Sequence, residues 1–152
     1  MKTSAELAPR IVAALIDSAV GWVVVVVPVL GAIVSVLYLL LKDGIMFQLL
    51  KTDEWKNKSI GKKIMNIEVE TADGSVVDLA LSAKRNIPLS IGSFIAIIPV
   101  IGWVFGPLVA IVFAVIEIVL VLTDSERRRL GDKWANTRVV QSEPVLAPDQ
   151  QL

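Results

Sequence analysis

A few charged side chains stand in or beside stretches that are otherwise apolar. Between Ile11 and Leu41 the only ionisable group besides the weakly acidic Tyr38 is Asp17; between Ile87 and Thr123 it is Glu117. A carboxylate in an apolar environment is costly, so each should face other helices, where it carries a proton or cation or holds a neighbouring helix. Arg10 and Asp17 are seven residues apart, on one helical face and about 10 Å apart along the axis. Ala14 and Gly21 continue that stripe, and small residues there let another helix approach closely. Glu117 lies seven residues before Asp124, the expected cytoplasmic end of the last helix, which puts it about 10 Å deep from the same side as Asp17. Two carboxylates at matching depth could share a proton or a monovalent cation. The competing reading makes them structural partners, with Asp17 reached by Arg10 or bonded to another helix. Asp43, Asp124 and Asp132 are supporting charges.

Other chemistry is excluded by composition. The 152 residues contain no Cys and no His, which removes disulfides, Cys/His zinc sites, thiol nucleophiles and Ser-His-Asp triads. No cofactor, no metal site and no enzyme activity are expected. Lys58-Ser59-Ile60-Gly61-Lys62-Lys63 is no phosphate loop: the pattern needs Gly where Lys56 stands and Ser or Thr where Lys63 stands. Fifteen Lys and Arg balance fifteen Asp and Glu, so nucleic acid is not an expected partner. Lys62, Lys63 and the Arg127-Arg128-Arg129 cluster instead suit anionic lipid headgroups.

The elements that must position these residues follow from the hydropathy pattern. The chain is 55% hydrophobic with a mean hydropathy of +0.69. Its two charge-poor runs, 31 and 37 residues long, each exceed the roughly 20 residues that cross a bilayer once, so each should fold as a helical hairpin. Pro28-Val29-Leu30-Gly31 interrupts the first, and Pro99, Gly102, Gly106 and Pro107 the second. The expected fold is an all-α integral membrane protein, a four-helix transmembrane bundle with spans at about 10–29, 31–49, 87–102 and 105–123. The second span could end near Leu41, leaving Ile45–Leu50 along the interface. A cleaved signal peptide fits poorly, because the first run is too long and contains Asp17. All fifteen cationic residues lie at Lys2–Arg10, Lys42–Arg85 and Arg127–Arg138. Both termini and the 51–86 loop should therefore be cytoplasmic in a multi-pass protein of the inner membrane, with a two-span reading, both hairpins re-entrant or oversized, as the alternative topology. Within that loop, the alternating Ile67-Glu68-Val69-Glu70, a turn at Ala72-Asp73-Gly74 and a returning Ser75–Leu79 suggest a small β-hairpin. Trp22, Trp55, Trp103 and Trp134 suit interfacial anchors, and 141–152 reads as a disordered tail.

Three stretches together resemble the RDD family of small prokaryotic membrane proteins. They are Pro9–Asp17, then Lys58–Val69 followed by Asp73-Gly74, and Arg129–Val140. The resemblance covers about residues 8–140, within an expected 1–140 transmembrane domain. It matches the family's Arg to Arg10 and its two Asp to Asp17 and Asp132. It implies a membrane protein and, since some members of the family behave as sodium/proton antiporters, exchange of protons for a small monovalent cation. In that reading Asp17 is the ion site, Arg10 tunes it, Asp132 is a cytoplasmic partner, and a homo-oligomer completes the pathway. The alternative is a non-transporting assembly or lipid-interaction module whose Arg and Asp residues hold helices together.

Overall fold

The structure, a computed structural model, describes residues 6–23, 30–98 and 100–142. Four long helices dominate: α1 (Leu7–Val23), α2 (Leu30–Leu50), α4 (Leu79–Ala96) and α5 (Ile101–Thr123). Short helices α3 (Ile60–Ile64) and α6 (Leu130–Ala135) each lead into a strand, β1 (Ile67–Thr71) and β2 (Thr137–Gln141). The long helices pack in the order α1–α2–α4–α5, with α3 against α1 and α6 against α4.

Apolar and polar residues are inverted relative to a water-soluble domain. Gly31–Leu50 and Ile101–Thr123 are long and apolar enough to cross a membrane, yet only 22% and 17% of their apolar windows are buried. Core helices of a soluble protein would be mostly covered. On α5, Leu108, Ile111, Val115, Val119 and Leu122 all point outward. The interior instead holds Asp17, Asp43, Arg85, Asn86 and Asp132. So much exposed hydrocarbon around a charged interior is stable only in an apolar solvent, and the chain is a membrane protein. A small conventional core remains where the strands meet α1: Ala13, Ile67 and Val139, with Met65 against them.

Several boundaries differ from those read from the sequence. The second helix does not stop near Leu41 but runs unbroken to Leu50, close to the expected 31–49, with Lys42, Asp43 and Gly44 inside it. Helix α4 begins at Leu79, eight residues before the expected span, because Asp78 caps it by accepting from Leu81 N at 2.7 Å. Helix α4 ends at Ala96 and α5 begins at Ile101, so Gly102, Gly106 and Pro107 belong to α5. Neighbouring helices let an apolar helix tolerate such breakers, and Gly92 sits so near Ala110 that an added Cβ would lie 2.5 Å from that methyl. Pro28, Val29, Pro99, the Trp22 side chain and 143–152 lie outside the described residues.

The loop hairpin is corrected. A turn does form, with Gly74 N donating to Thr71 O at 3.2 Å, but 75–78 then run into the α4 cap. Strand β1 pairs antiparallel with β2, from the far end of the chain, with Val69 opposite Val139 and Glu70 opposite Arg138. Burying Ile67, Val69 and Val139 on one sheet face, with Val140 buried on the other, decides this partner over the local one.

That register exposes a repeat. Each half of the chain runs long helix, long helix, short helix, strand. Gly61 and Gly131, Asn66 and Asn136, Val69 and Val139 are each seventy positions apart. Asn66 and Asn136 both take φ 52, the left-handed conformation that ends a helix and that Asn tolerates. Val69 pairs with its own counterpart, so an approximate two-fold axis passes through that pair.

Candidate functional site

The charged interior is assembled where α1 and α4 begin and α2 and α5 end, with α3 and α6 laid across it. Ser59 caps α3, accepting from Lys62 N at 3.3 Å, and its hydroxyl donates to Asp17 Oδ2 at 2.7 Å. Gly61 N donates to Asp17 Oδ1 at 2.7 Å, and Lys42 Nζ stands 3.3 Å from Oδ2. Only glycine permits this approach: a Cβ at Gly61 would sit 2.1 Å from Ala13 O. Asp17 is thus an occupied anchor for α3.

Asp43 and Asp132 are held as firmly. Lys62 pairs with Asp43, Arg85 Nη1 lies 3.0 Å from its Oδ2, and Asn86 Nδ2 donates to the same oxygen at 3.1 Å. Arg85 also reaches Asp132 Oδ1 at 2.5 Å, which ties α2 to α6 through one guanidinium. Arg10 Nη2 donates to Asp132 Oδ2 at 2.8 Å, and Arg129 Nε to Oδ1 at 3.3 Å. Arg129 Nη2 further donates to Asn86 Oδ1 at 2.8 Å. Gly131 repeats the close approach of Gly61: its Cβ would meet Arg85 O at 1.7 Å.

Charge states outside the long helices follow from these neighbours. Burial pushes the Asp132 carboxyl up, but Arg85, Arg129 and Arg10 outweigh it and hold the group well below the usual carboxylate range. Burial lowers the Lys62 ammonium to about 8, with Asp43 opposing that fall. Asp124, at the end of α5, is brought to about 2 by the Lys133 ammonium at 2.7 Å and by Arg128 N at 2.9 Å.

The residues singled out in the sequence are redistributed. Arg10 pairs with Asp132, across 122 positions, and not with Asp17 two turns along its own helix. Glu117 is 4% exposed; its Oε1 accepts from Gly131 N at 3.4 Å, and its Oε2 has no hydrogen-bond partner among the described residues. Asp17 and Glu117 both line a cavity of about 440 Å³ between the helices. Asp124 stays at the edge of the site with Arg128 and Lys133. Missed from sequence were Lys42, Lys62, Arg85, Asn86 and Arg129, all of which face inward. Lys62 is buried against Asp43, so its expected contact with lipid headgroups is not what the structure places there. The repeated Gly-(Lys/Asp)-Lys-x-x-Asn motif was the available signal. Trp103 and Trp134 are exposed, as interfacial anchors would be, while Trp55 lies under Lys63, whose Nζ is 4.2 Å from the ring centre.

This arrangement can clamp helices, and its cavity can admit a small or chain-like ligand. No curated protein and no solved structure matches the chain. The model of the RDD family matches residues 4–136, and so the chain belongs to the RDD family.

Proposed function

We propose that this protein is a non-transporting membrane module in which the Arg–Asp network holds four membrane-crossing helices to a cytoplasmic cap and keeps a lipid-facing cavity open. One observation carries the reading: Asp17, Asp43 and Asp132 are fully buried, and each is engaged by at least one cation. An ion carrier needs a carboxylate that can exchange partners, and these are fixed from several directions. In the proposed topology α1, α2, α4 and α5 all cross, with both termini, α3, α6 and the sheet cytoplasmic, as the placement of the fifteen cationic residues favours. No catalytic role is assigned.

Proteoliposomes test this. With lithium, sodium or potassium gradients the wild type should move no protons, and Asp17→Asn should lose assembly. Alkali-cation-driven proton flux, abolished by Asp17→Asn in a protein that still assembles, overturns the proposal. Topology is checked by labelling single engineered cysteines from outside intact cells: positions in 51–78 should stay unlabelled.

A second reading is favoured by Glu117. Glu117 lines the cavity, and among the described residues its Oε2 has no hydrogen-bond partner and no cation paired with it, as a proton-exchanging group requires. Flux that survives changes around Asp17 but vanishes in Glu117→Gln would make this the better account.

A further inference from the structure

The cavity has two chemically different parts. Its polar end carries Arg10, Lys42, Lys62, Arg85 and Arg129, against the carboxylates Asp17 and Glu117. Adding the anions paired with these cations, Asp43 and Asp132, leaves five cations against four carboxylates among the described residues. Arginine does not release its proton, so this excess is not relieved by titration of its guanidiniums. Arg85, fully buried, has an Nε without any hydrogen-bond acceptor among the described residues. A buried positive excess with an unmet donor calls for an anion from outside the chain.

The other part is apolar and reaches the outer surface. Leu39, Leu89 and Val121 line it, together with Ile11, Leu15 and Ile118, which are exposed on the flanks of α1 and α5. These are the two outermost helices of the row, so the cavity opens sideways between them, where lipid surrounds the protein. A free phosphate would use the cationic end and leave this apolar slot empty. Ligand cavities commonly occupy roughly 300–1,000 Å³, and about 440 Å³ is ample for a headgroup phosphate and part of one chain.

We propose that this cavity binds one anionic, phosphate-bearing lipid, with its phosphate among Arg10, Arg85 and Arg129 and one acyl chain along Leu15, Leu89 and Ile118. The inference rests on the lipid-facing module proposed above and gives it a ligand class. Asp17 is already neutralised by Lys42, Ser59 and Gly61, so it does not oppose the phosphate. Glu117 lies beside Gly131 at the α5 wall, its Oε1 accepting from the Gly131 amide.

The test uses the delipidated full chain in an uncharged detergent, titrated with short-chain phosphatidylglycerol, short-chain phosphatidylcholine, glycerol phosphate and inorganic phosphate. Native mass spectrometry reads stoichiometry and affinity. Phosphatidylglycerol should bind one-to-one and at least about tenfold more tightly than the other three. Ser18 lines the cavity, is exposed, and its hydroxyl donates to Ala14 O of its own helix at 2.8 Å. Ser18→Trp should therefore obstruct the opening without disturbing the fold and weaken binding about tenfold, and Arg129→Gln should weaken phosphatidylglycerol more than phosphatidylcholine. Equal affinity for the two lipids, or for inorganic phosphate and phosphatidylglycerol, overturns the proposal. So does an unchanged affinity in a folded Ser18→Trp, which would mean surface lipid only. Proton flux in the separate liposome assay defeats the non-transporting reading but leaves this binding result standing, so the two failures are distinguishable.

Discussion

Replacing Asp132 by Asn keeps the side chain's shape and one acceptor oxygen but removes the charge that three arginines share. In the native protein that carboxylate receives Arg85 at 2.5 Å, Arg10 at 2.8 Å and Arg129 at 3.3 Å, and none of its surface is exposed. The guanidiniums stay charged, so the variant strands positive charge in a buried site. Breaking one buried pair costs about 3–5 kcal/mol, and the upper part of that range is expected where one anion serves three cations. For a chain of this size about 2–4 °C of melting temperature is lost per kcal/mol, so a fall of roughly 6–20 °C is expected. The assay is tryptophan-monitored thermal unfolding of the full chain in a mild detergent. Arg10→Gln and the double variant complete a cycle: removing Arg10 as well takes away one stranded charge, so the double variant should be more stable than additivity gives, by about 1 kcal/mol or more. The acid limb gives an independent reading. Because Asp132 is held below its ordinary range when folded, its contribution is complete above the unfolded value of about 3.9. It fades as pH falls from there through the folded value, so wild type should lose stability below about pH 4 more steeply than Asp132→Asn. A variant that melts within about 2 °C of wild type, with an additive cycle and the same acid limb, would refute the shared-anion account.

Four further outcomes are expected. Gly61→Ala and Gly131→Ala each force a methyl into a backbone carbonyl, 2.1 Å from Ala13 O and 1.7 Å from Arg85 O, and should cost about 1–3 kcal/mol or more in thermal unfolding. Glu70→Cys with Arg138→Cys should form a disulfide on mild oxidation, visible by non-reducing electrophoresis, because these residues are opposite in the sheet and the chain has no other cysteine; Glu70→Cys with Val77→Cys should not. Lys62 falls to about 8 on folding, so the unfolded chain holds the extra proton between pH 8 and the ordinary lysine value near 10.4. Its share of stability should rise with pH across that window, and Lys62→Met should lack the rise in pH-dependent unfolding. Arg85→Lys cannot span Asp43 and Asp132 together, since an ammonium lacks the planar fork, and should lower the melting temperature by several degrees, about as much as a lost buried hydrogen-bonded charge.

What was legible in the sequence was decided residue by residue. Each side chain facing hydrocarbon has its own solvation cost, so the greasy runs marked the long helices without knowledge of their neighbours, and an isolated Asp17 or Glu117 had to turn inward. Pairing was not legible in this way. Arg10 and Asp17 share a face, yet two helical turns separate them, while α6 delivers Asp132 to 2.8 Å from across 122 positions. The turn at Ala72-Asp73-Gly74 and the run Ser75–Leu79 offered β1 a near partner, and the burial of Val139 against Ala13 and Ile67 favoured a distant one. Lys62 and Lys63 look alike in sequence. The Ser59 cap fixes the phase of α3, so that Lys62 enters the interior while Lys63 stays outside with Glu54 and Trp55.

The repeat explains both why the site holds together and why its charges are uneven. Two similar halves joined by an antiparallel strand pair place counterparts around one axis, which brings α3 and α6 to the same end of the bundle with equivalent glycines against α1 and α4. Were the side chains as symmetric as the backbone, equivalent positions would carry like charges and repel across that axis. Lys62 and Asp132 occupy the same place in the two motifs and have opposite sign. Their difference creates the chain Lys62–Asp43–Arg85–Asp132–Arg10, in which both Asp43–Arg85 and Asp132–Arg10 join the two halves. Each half also sets a carboxylate beneath its glycine amide, Asp17 under Gly61 and Glu117 under Gly131, but among the described residues only Asp17 has a cation paired with it. The symmetry of the backbone makes the interior; its breaking by side chains leaves Glu117 Oε2 and Arg85 Nε without hydrogen-bond partners among the described residues, and both belong to residues that line the cavity.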